Sequence, residues 1–163
     1  LDWVNSQHLA NLSIDDFKSH LKPFLKKIDI EMEDHSNLDL MINAMRSSEN
    51  TLSGIAESLI PYFKDITSYD ENAIDKFLSD GIDTLVNIKD ILLKIDDWNE
   101  NNIDAALKTF QTNNNLPVPK VNQPIRIALT GSTKSPSLGL TLSIFGKDQS
   151  ITRIQNVIDT FKS

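Results

Sequence analysis

Ile82, Leu85, Ile88, Leu92 and Ile95 recur at three- and four-residue steps with charged and polar residues between them. That spacing paints one face of an α-helix apolar and leaves the other to water, so the segment predicts a helix against a core. The same period returns along the chain. Ile14, Phe17, Leu21 and Leu25 form one stripe, and Leu38, Met41, Ile42 and Met45 another. Leu52, Ile55, Ala56 and Leu59 make a third, and Ile103, Ala106, Leu107 and Phe110 a fourth. Ile151, Ile154, Val157, Ile158 and Phe161 close the series. Leu1, Val4 and His8 read as the end of a further helix.

Starts and stops fall where these stripes need them. Ser13, Thr51 and Asn99 each stand just before a stripe, where a side-chain oxygen can accept an orphan N–H of the first turn. Ser36 or Asn37 is expected to do so for the second stripe. Pro23 falls inside the first stripe and is expected to bend or break that helix, because proline donates no hydrogen bond. Pro61 is expected near the end of the third. Glu71 to Leu78 reads as a short helix stopped by Gly81. Asn113-Asn114-Asn115-Leu116-Pro117 ends the fourth stripe. Tyr62 to Tyr69 reads as a hinge, which divides the chain into 1–65 and 66–163.

A chain of 163 residues supports one domain or two small ones, and 39% hydrophobic content supplies a core. Cysteine is absent, which excludes disulfides and thiol chemistry and fits a cytoplasmic setting. No apolar run approaches the roughly 18 residues of a membrane span, and no signal-peptide pattern opens the chain. The chain starts at Leu1-Asp2-Trp3 without an initiator methionine, which suggests a piece of a longer protein. The net charge of −7 is unevenly spread. From Leu116 onward Lys120, Arg126, Lys134, Lys147, Arg153 and Lys162 face only Asp148 and Asp159. That segment carries +4 and the first 115 residues −11. A polyanion is expected to be drawn to the C-terminal third.

Catalytic chemistry finds no foothold. His8, His20 and His35 are scattered, and none stands three or four residues from another. Gly139 to Lys147 lacks the glycine spacing of a phosphate loop, and Asp148 stands where a Ser or Thr would hold magnesium. Asp15-Asp16 and Asp96-Asp97 read as helix-start carboxylates.

One stretch resists the helical pattern. In Gln123 to Lys147, Ile125, Ile127 and Leu129 alternate, as do Leu138, Leu140, Leu142 and Ile144. Pattern alone leaves a β-hairpin open here. The same stretch carries Gln123, Pro124, Arg126, Ala128, Thr130, Gly131, Ser135, Pro136, Gly146 and Lys147. At those spacings it resembles the anticodon-contacting block of bacterial glutamyl-tRNA synthetases. Leu1-Asp2-Trp3-Val4-Asn5, Leu21-Lys22-Pro23-Phe24-Leu25 and Asp97-Trp98-Asn99 also have counterparts there, so the resemblance spans the chain.

The resemblance implies an all-α, multihelical fold of two small packed subdomains, without the nucleotide-binding signatures of the catalytic half. It implies tRNA anticodon recognition within an enzyme that joins glutamate to tRNA(Glu) using ATP and magnesium. This segment itself would hold neither cofactor and no catalytic residue. Arg126 matches an arginine that packs on anticodon bases. Ser135 and Pro136 match a turn that meets the middle base, and Leu138 an apolar neighbour of it. Trp3 matches a tryptophan near the third base, and Lys108 falls where some relatives have arginine. Ser48 stands where many glutamate-specific relatives have an arginine that reads the third base, with Arg46 two residues earlier. A serine lacks the reach and the fork of that arginine, so relaxed discrimination against tRNA(Gln) is expected. A monomer with no membrane partner is expected too. The alternative is a helical protein–protein docking domain without RNA specificity. The anticodon reading requires Arg126 and Pro136 to share an accessible groove.

Overall fold

The computed structural model describes residues 11–32, 37–47, 49 and 51–162. Among them there are nine helices and no strand. They are α1 (Ile14–Lys27), α2 (Leu38–Arg46), α3 (Leu52–Phe63), α4 (Glu71–Phe77) and α5 (Ile82–Leu93), then α6 (Glu100–Asn113), α7 (Val118–Thr130), α8 (Leu138–Phe145) and α9 (Lys147–Phe161). The all-α reading is borne out. The chain divides into two compact units, Leu1–Asp65 and Ile66–Ser163.

In the first unit, α1 and α2 both pack on α3. Their stripes supply the core: Phe17, Leu21 and Leu25, then Met41, Ile42 and Met45, then Ile55 and Leu59. Ser13 accepts the Asp16 N–H at 3.2 Å and Thr51 accepts that of Gly54 at 3.0 Å. Asn37 occupies the cap of α2 without a side-chain bond. Pro23 does not stop α1, which runs on to Lys27. A proline at this position leaves the Ser19 carbonyl without its helical donor. Ser19 and Pro23 are both exposed, so water can answer that carbonyl. Pro61 likewise lies inside α3, two residues before its end, and Tyr62, placed in a hinge by the sequence, is buried in that helix.

In the second unit α7 is central. It touches α4, α5, α6, α8 and α9. Val121, Pro124, Ile125, Ile127, Ala128 and Leu129 are buried on it. A helix enclosed on most sides is apolar on most sides, and its polar gaps at Arg126 and Thr130 create the alternation that mimics a strand. Helix α8 repeats the effect, with Leu138, Gly139, Thr141, Leu142, Ile144 and Phe145 buried. Gly131 ends α7 in the left-handed region at φ +84°, donating its N–H to the Ile127 carbonyl at 2.8 Å. Its own carbonyl accepts the Asp70 N–H at 2.8 Å, and a Cβ there would come within 2.8 Å of the Ser68 carbonyl oxygen. Only glycine fits this corner without strain.

Around α7 the remaining helices close by specific bonds. Asn99 caps α6, accepting the Asn102 N–H at 2.9 Å. Trp98 Nε1 donates to the Leu142 carbonyl at 2.9 Å, tying the approach to α6 onto α8. Asp96-Asp97 lies between α5 and α6 and not in a helical first turn as the sequence suggests, and the Asp97 carbonyl accepts from Asn102 Nδ2 at 2.9 Å. Gly146, at φ +84°, separates α8 from α9.

Arg153 departs furthest from the sequence reading. Counted there among the charges that attract a polyanion, it is 6% exposed. Its Nη1 donates to the Leu129 carbonyl at 2.6 Å, and its guanidinium carbon lies 4.7 Å from the centre of the Phe145 ring. Leu129 is in the last turn of α7, where carbonyls lack helical donors and the dipole favours a cation. The residue stitches α9 to α7 and α8. Its signal was present: Ser150, Arg153, Ile154 and Val157 share one helical face, and all four are buried.

Candidate nucleic-acid interface

Arg126 lies on α7, half-buried, and its guanidinium is held along its edges. Nε donates to Ser135 Oγ at 2.9 Å, Nη1 to Gln123 Oε1 at 3.2 Å and Nη2 to the Pro136 carbonyl at 3.4 Å. Ser135 Oγ passes its own proton on, donating to the same Pro136 carbonyl at 3.0 Å. The buried Thr141 hydroxyl of α8 reaches that carbonyl at 3.3 Å and the Ser137 carbonyl at 3.0 Å. The Ser-Pro corner is thus pinned by an arginine on one side and a threonine on the other. Thr130 fixes the start of the loop. Its hydroxyl stands 2.9 Å from the Arg126 carbonyl and 3.0 Å from that of Ser132, and accepts the Ser132 N–H at 3.3 Å.

Beside this cluster opens a groove of about 320 Å³ between α6, α7 and the start of α8. From α6 it takes Asp104, Leu107, Lys108 and Gln111, and from α7 Val118, Asn122 and Arg126. The first set recurs at i, i+3, i+4 and i+7 and the second at four-residue steps, so each lies on one helix face. Ser137 and Leu138 complete the lining. Leu107 and Leu138 are buried in its floor, whereas Val118 is 51% exposed at its edge. Lys108 is exposed.

The sequence candidates therefore separate. Arg126, Ser135 and Pro136 are bonded to one another and all are half-buried, so the corner is not sealed, and of the three Arg126 lines the groove. Leu138 and Lys108 share the groove with Arg126. Arg46 belongs to the first unit, where Nη2 donates to the Leu12 carbonyl at 2.6 Å and the guanidinium carbon lies 4.5 Å from the Phe17 ring centre. Trp3 and Ser48 lie outside the described residues. Of the other basic residues in the C-terminal third, Lys147 donates to the Ile95 carbonyl at 2.6 Å and Lys120 pairs with Asp80 at 3.6 Å. Lys147 and Arg153 are thus committed to carbonyls of the fold, and Lys120 to a surface ion pair. Sequence reasoning missed Asp104, Gln111 and Asn122 as groove residues, because two helices must pack before their faces meet. Among the described residues no group of three His, Asp or Glu could hold a metal ion, and no helix is long and apolar enough to cross a membrane.

Comparison with known proteins agrees with this architecture. A family model described as an anticodon binding domain matches residues 16–158. The glutamate–tRNA ligase of Myxococcus xanthus is 32% identical over 154 residues, covering 93% of this chain and 32% of that protein. Glutamate–tRNA ligase 1 of Syntrophus aciditrophicus is 31% identical over 162 residues, covering 99% of this chain and 34% of that protein. The chain spans about a third of the length of the curated relatives it matches. A crystal structure of a glutamate tRNA ligase from Elizabethkingia meningosepticum, in complex with its amino acid, shares the fold with a TM-score of 0.83 at 23% identity. The match covers 99% of this chain and 32% of that one. With the match running from α1 into α9 and the Arg126 corner on its central helix, the chain belongs to the anticodon binding domain family.

Proposed function

We propose that this chain reads the anticodon of tRNA(Glu) as the anticodon-binding part of a glutamate–tRNA ligase. The observation that carries the reading is the edge-bonded guanidinium of Arg126 beside an open, apolar-walled groove. Sequence-specific RNA recognition works on unpaired loop bases, stacked on aromatic or guanidinium planes and bonded at their edges. Hydrogen bonds around the rim of a guanidinium hold its plane steady, and the plane is what a base stacks on. The Ser135-Pro136 corner fixes where that plane stands, and Lys108 supplies a cation at the groove. In such a ligase glutamate activation needs ATP and magnesium, which belong to the catalytic part; this chain contributes binding and works as a monomer in the cytoplasm.

The test is a titration of the chain with an RNA hairpin carrying the tRNA(Glu) anticodon loop, against the same hairpin with its anticodon replaced. The expected result is anticodon-dependent binding that weakens with salt, by a slope of about 0.7 per phosphate neutralised. Equal affinity for both hairpins would overturn the reading and leave a protein-docking role in its place.

Within the same reading, discrimination against tRNA(Gln) is relaxed. Ser48 lacks the fork of an arginine. Arg46, the nearest substitute, already spends its guanidinium on the Leu12 carbonyl and the Phe17 ring. The ligase carrying this chain is expected to charge both tRNAs in an aminoacylation assay, and Ser48→Arg is expected to favour tRNA(Glu). Strict rejection of tRNA(Gln) by the unaltered enzyme would contradict it.

A further inference from the structure

The Pro136 carbonyl has more donors than it can accept. The Ser135 hydroxyl stands 3.0 Å from it, the Thr141 hydroxyl 3.3 Å and Arg126 Nη2 3.4 Å. A backbone carbonyl offers two lone pairs, so three donors share two places. The two hydroxyls differ in what else they can reach. Ser135 is half-buried, so part of it is open to a ligand. Thr141, the fourth residue of α8, is fully buried, with its hydroxyl against the Pro136 and Ser137 carbonyls.

The Ser137 carbonyl does not depend on that hydroxyl. It already accepts the Thr141 N–H at 3.0 Å. The single hydroxyl proton of Thr141 can therefore serve Pro136 whenever a place there falls vacant. Ser135 is the residue able to vacate one. Its Oγ lies on the rim of the Arg126 guanidinium, 2.9 Å from Nε. A base stacked on that plane brings its edge beside the Ser135 hydroxyl, and a hydroxyl rotates to suit its partner. If its proton turns to the RNA, the Pro136 carbonyl loses its shortest bond, and a carbonyl left unanswered in a partly buried corner is costly.

We infer that Thr141 is a positioning residue for RNA recognition: its buried hydroxyl takes over the Pro136 carbonyl when the Ser135 hydroxyl turns to the RNA. The corner then keeps its shape through the exchange, and Ser135 Oγ still accepts from Arg126 Nε. The inference rests on the anticodon reading and deepens it by adding a residue that acts from beneath the corner.

The experiment measures binding of the chain to the tRNA(Glu) anticodon hairpin and to its anticodon-replaced counterpart, by fluorescence anisotropy at fixed salt. In Thr141→Val without RNA the Pro136 carbonyl keeps Ser135 and Arg126, so thermal unfolding should stay close to that of the parent. On the tRNA(Glu) hairpin the variant should bind about tenfold more weakly, the scale of one acceptor left unanswered. Its affinity for the anticodon-replaced hairpin should not change. Thr141→Ser retains the hydroxyl and should recover the parent's preference, and Thr141→Ala repeats the loss without valine's added methyl. In a Ser135→Ala background no hydroxyl is left to turn, so adding Thr141→Val should cost about twofold or less, a coupling that a purely structural threonine lacks. Parent-like binding by both Thr141→Val and Thr141→Ala overturns the inference. So does a full loss from Thr141→Val in the Ser135→Ala background, or failure of serine to recover binding. If the unaltered protein ignores the anticodon altogether, the anticodon reading falls and this inference with it, an outcome separate from every variant result.

Discussion

Replacing Arg126 by alanine is expected to weaken binding of the tRNA(Glu) anticodon hairpin by about 10- to 100-fold, with the helical content unchanged. Stacking of one base contributes about 1–3 kcal/mol, and each 1.4 kcal/mol is tenfold in affinity. The substitution also removes the donors that hold Ser135 and the Pro136 carbonyl, so the Ser-Pro corner loosens too. Helix α7 does not depend on this side chain, because its contacts run through Val121, Ile125, Ile127 and Leu129, all buried. Arg126→Lys separates charge from shape. Lysine retains the cation but has neither the plane nor the fork, so it should recover the salt dependence and little of the anticodon preference. Recovery of both by lysine would mean that Arg126 serves only as a positive charge.

The largest effect on stability belongs to Arg153. Arg153→Ala removes the donor to the Leu129 carbonyl, opens space against Phe145 and leaves a buried acceptor at the end of α7. Hydrogen bonds to charged groups contribute about 1.5–3 kcal/mol, and a guanidinium over an aromatic ring about 0.5–2. These contributions overlap, and a loss of about 2–4 kcal/mol is expected. For a unit of this size that lowers Tm by roughly 10–20 °C, measurable by thermal or urea denaturation. A second readout is taken in the folded protein. Burial raises the Tyr69 hydroxyl above its ordinary pKa, and the charge of Arg153 partly offsets that rise. Without the guanidinium, the absorbance titration of Tyr69 should move to still higher pH. A variant as stable as the parent would show that Arg153 is an incidental burial.

Most of the helical scaffold was legible because local signals and tertiary packing agree. Ser13, Thr51 and Asn99 cap where the stripes begin, and the residues of those stripes enter the core. Where the pattern misled or stayed open, a local rule was overruled by what surrounds it. Pro23 on an exposed face leaves a carbonyl to water and lets α1 continue. The alternation in α7 and α8 comes from enclosure on most sides, which no local period can separate from a strand. Only the resemblance carried by Gln123 to Lys147 pointed to helices there.

The candidate site was legible in the same partial way. Arg126, Ser135 and Pro136 lie within a short stretch, and the fold joins them by hydrogen bonds. Asp104 and Asn122 lie on different helices, and they line one groove only once α6 lies against α7. Arg153 looked like a charge for RNA because formal charge says nothing of burial. Its place on the face of Ser150, Ile154 and Val157 was the available warning.

The most direct test of the account follows the Arg126 side chain itself. In a ¹⁵N-labelled sample its Nε–H resonance, assigned by its loss in Arg126→Lys, is recorded while the tRNA(Glu) anticodon hairpin is added. The resonance should shift in step with binding, and should stay in place with the anticodon-replaced hairpin. Saturating, anticodon-dependent binding that leaves the Arg126 signal unmoved while resonances on another face respond would contradict the account.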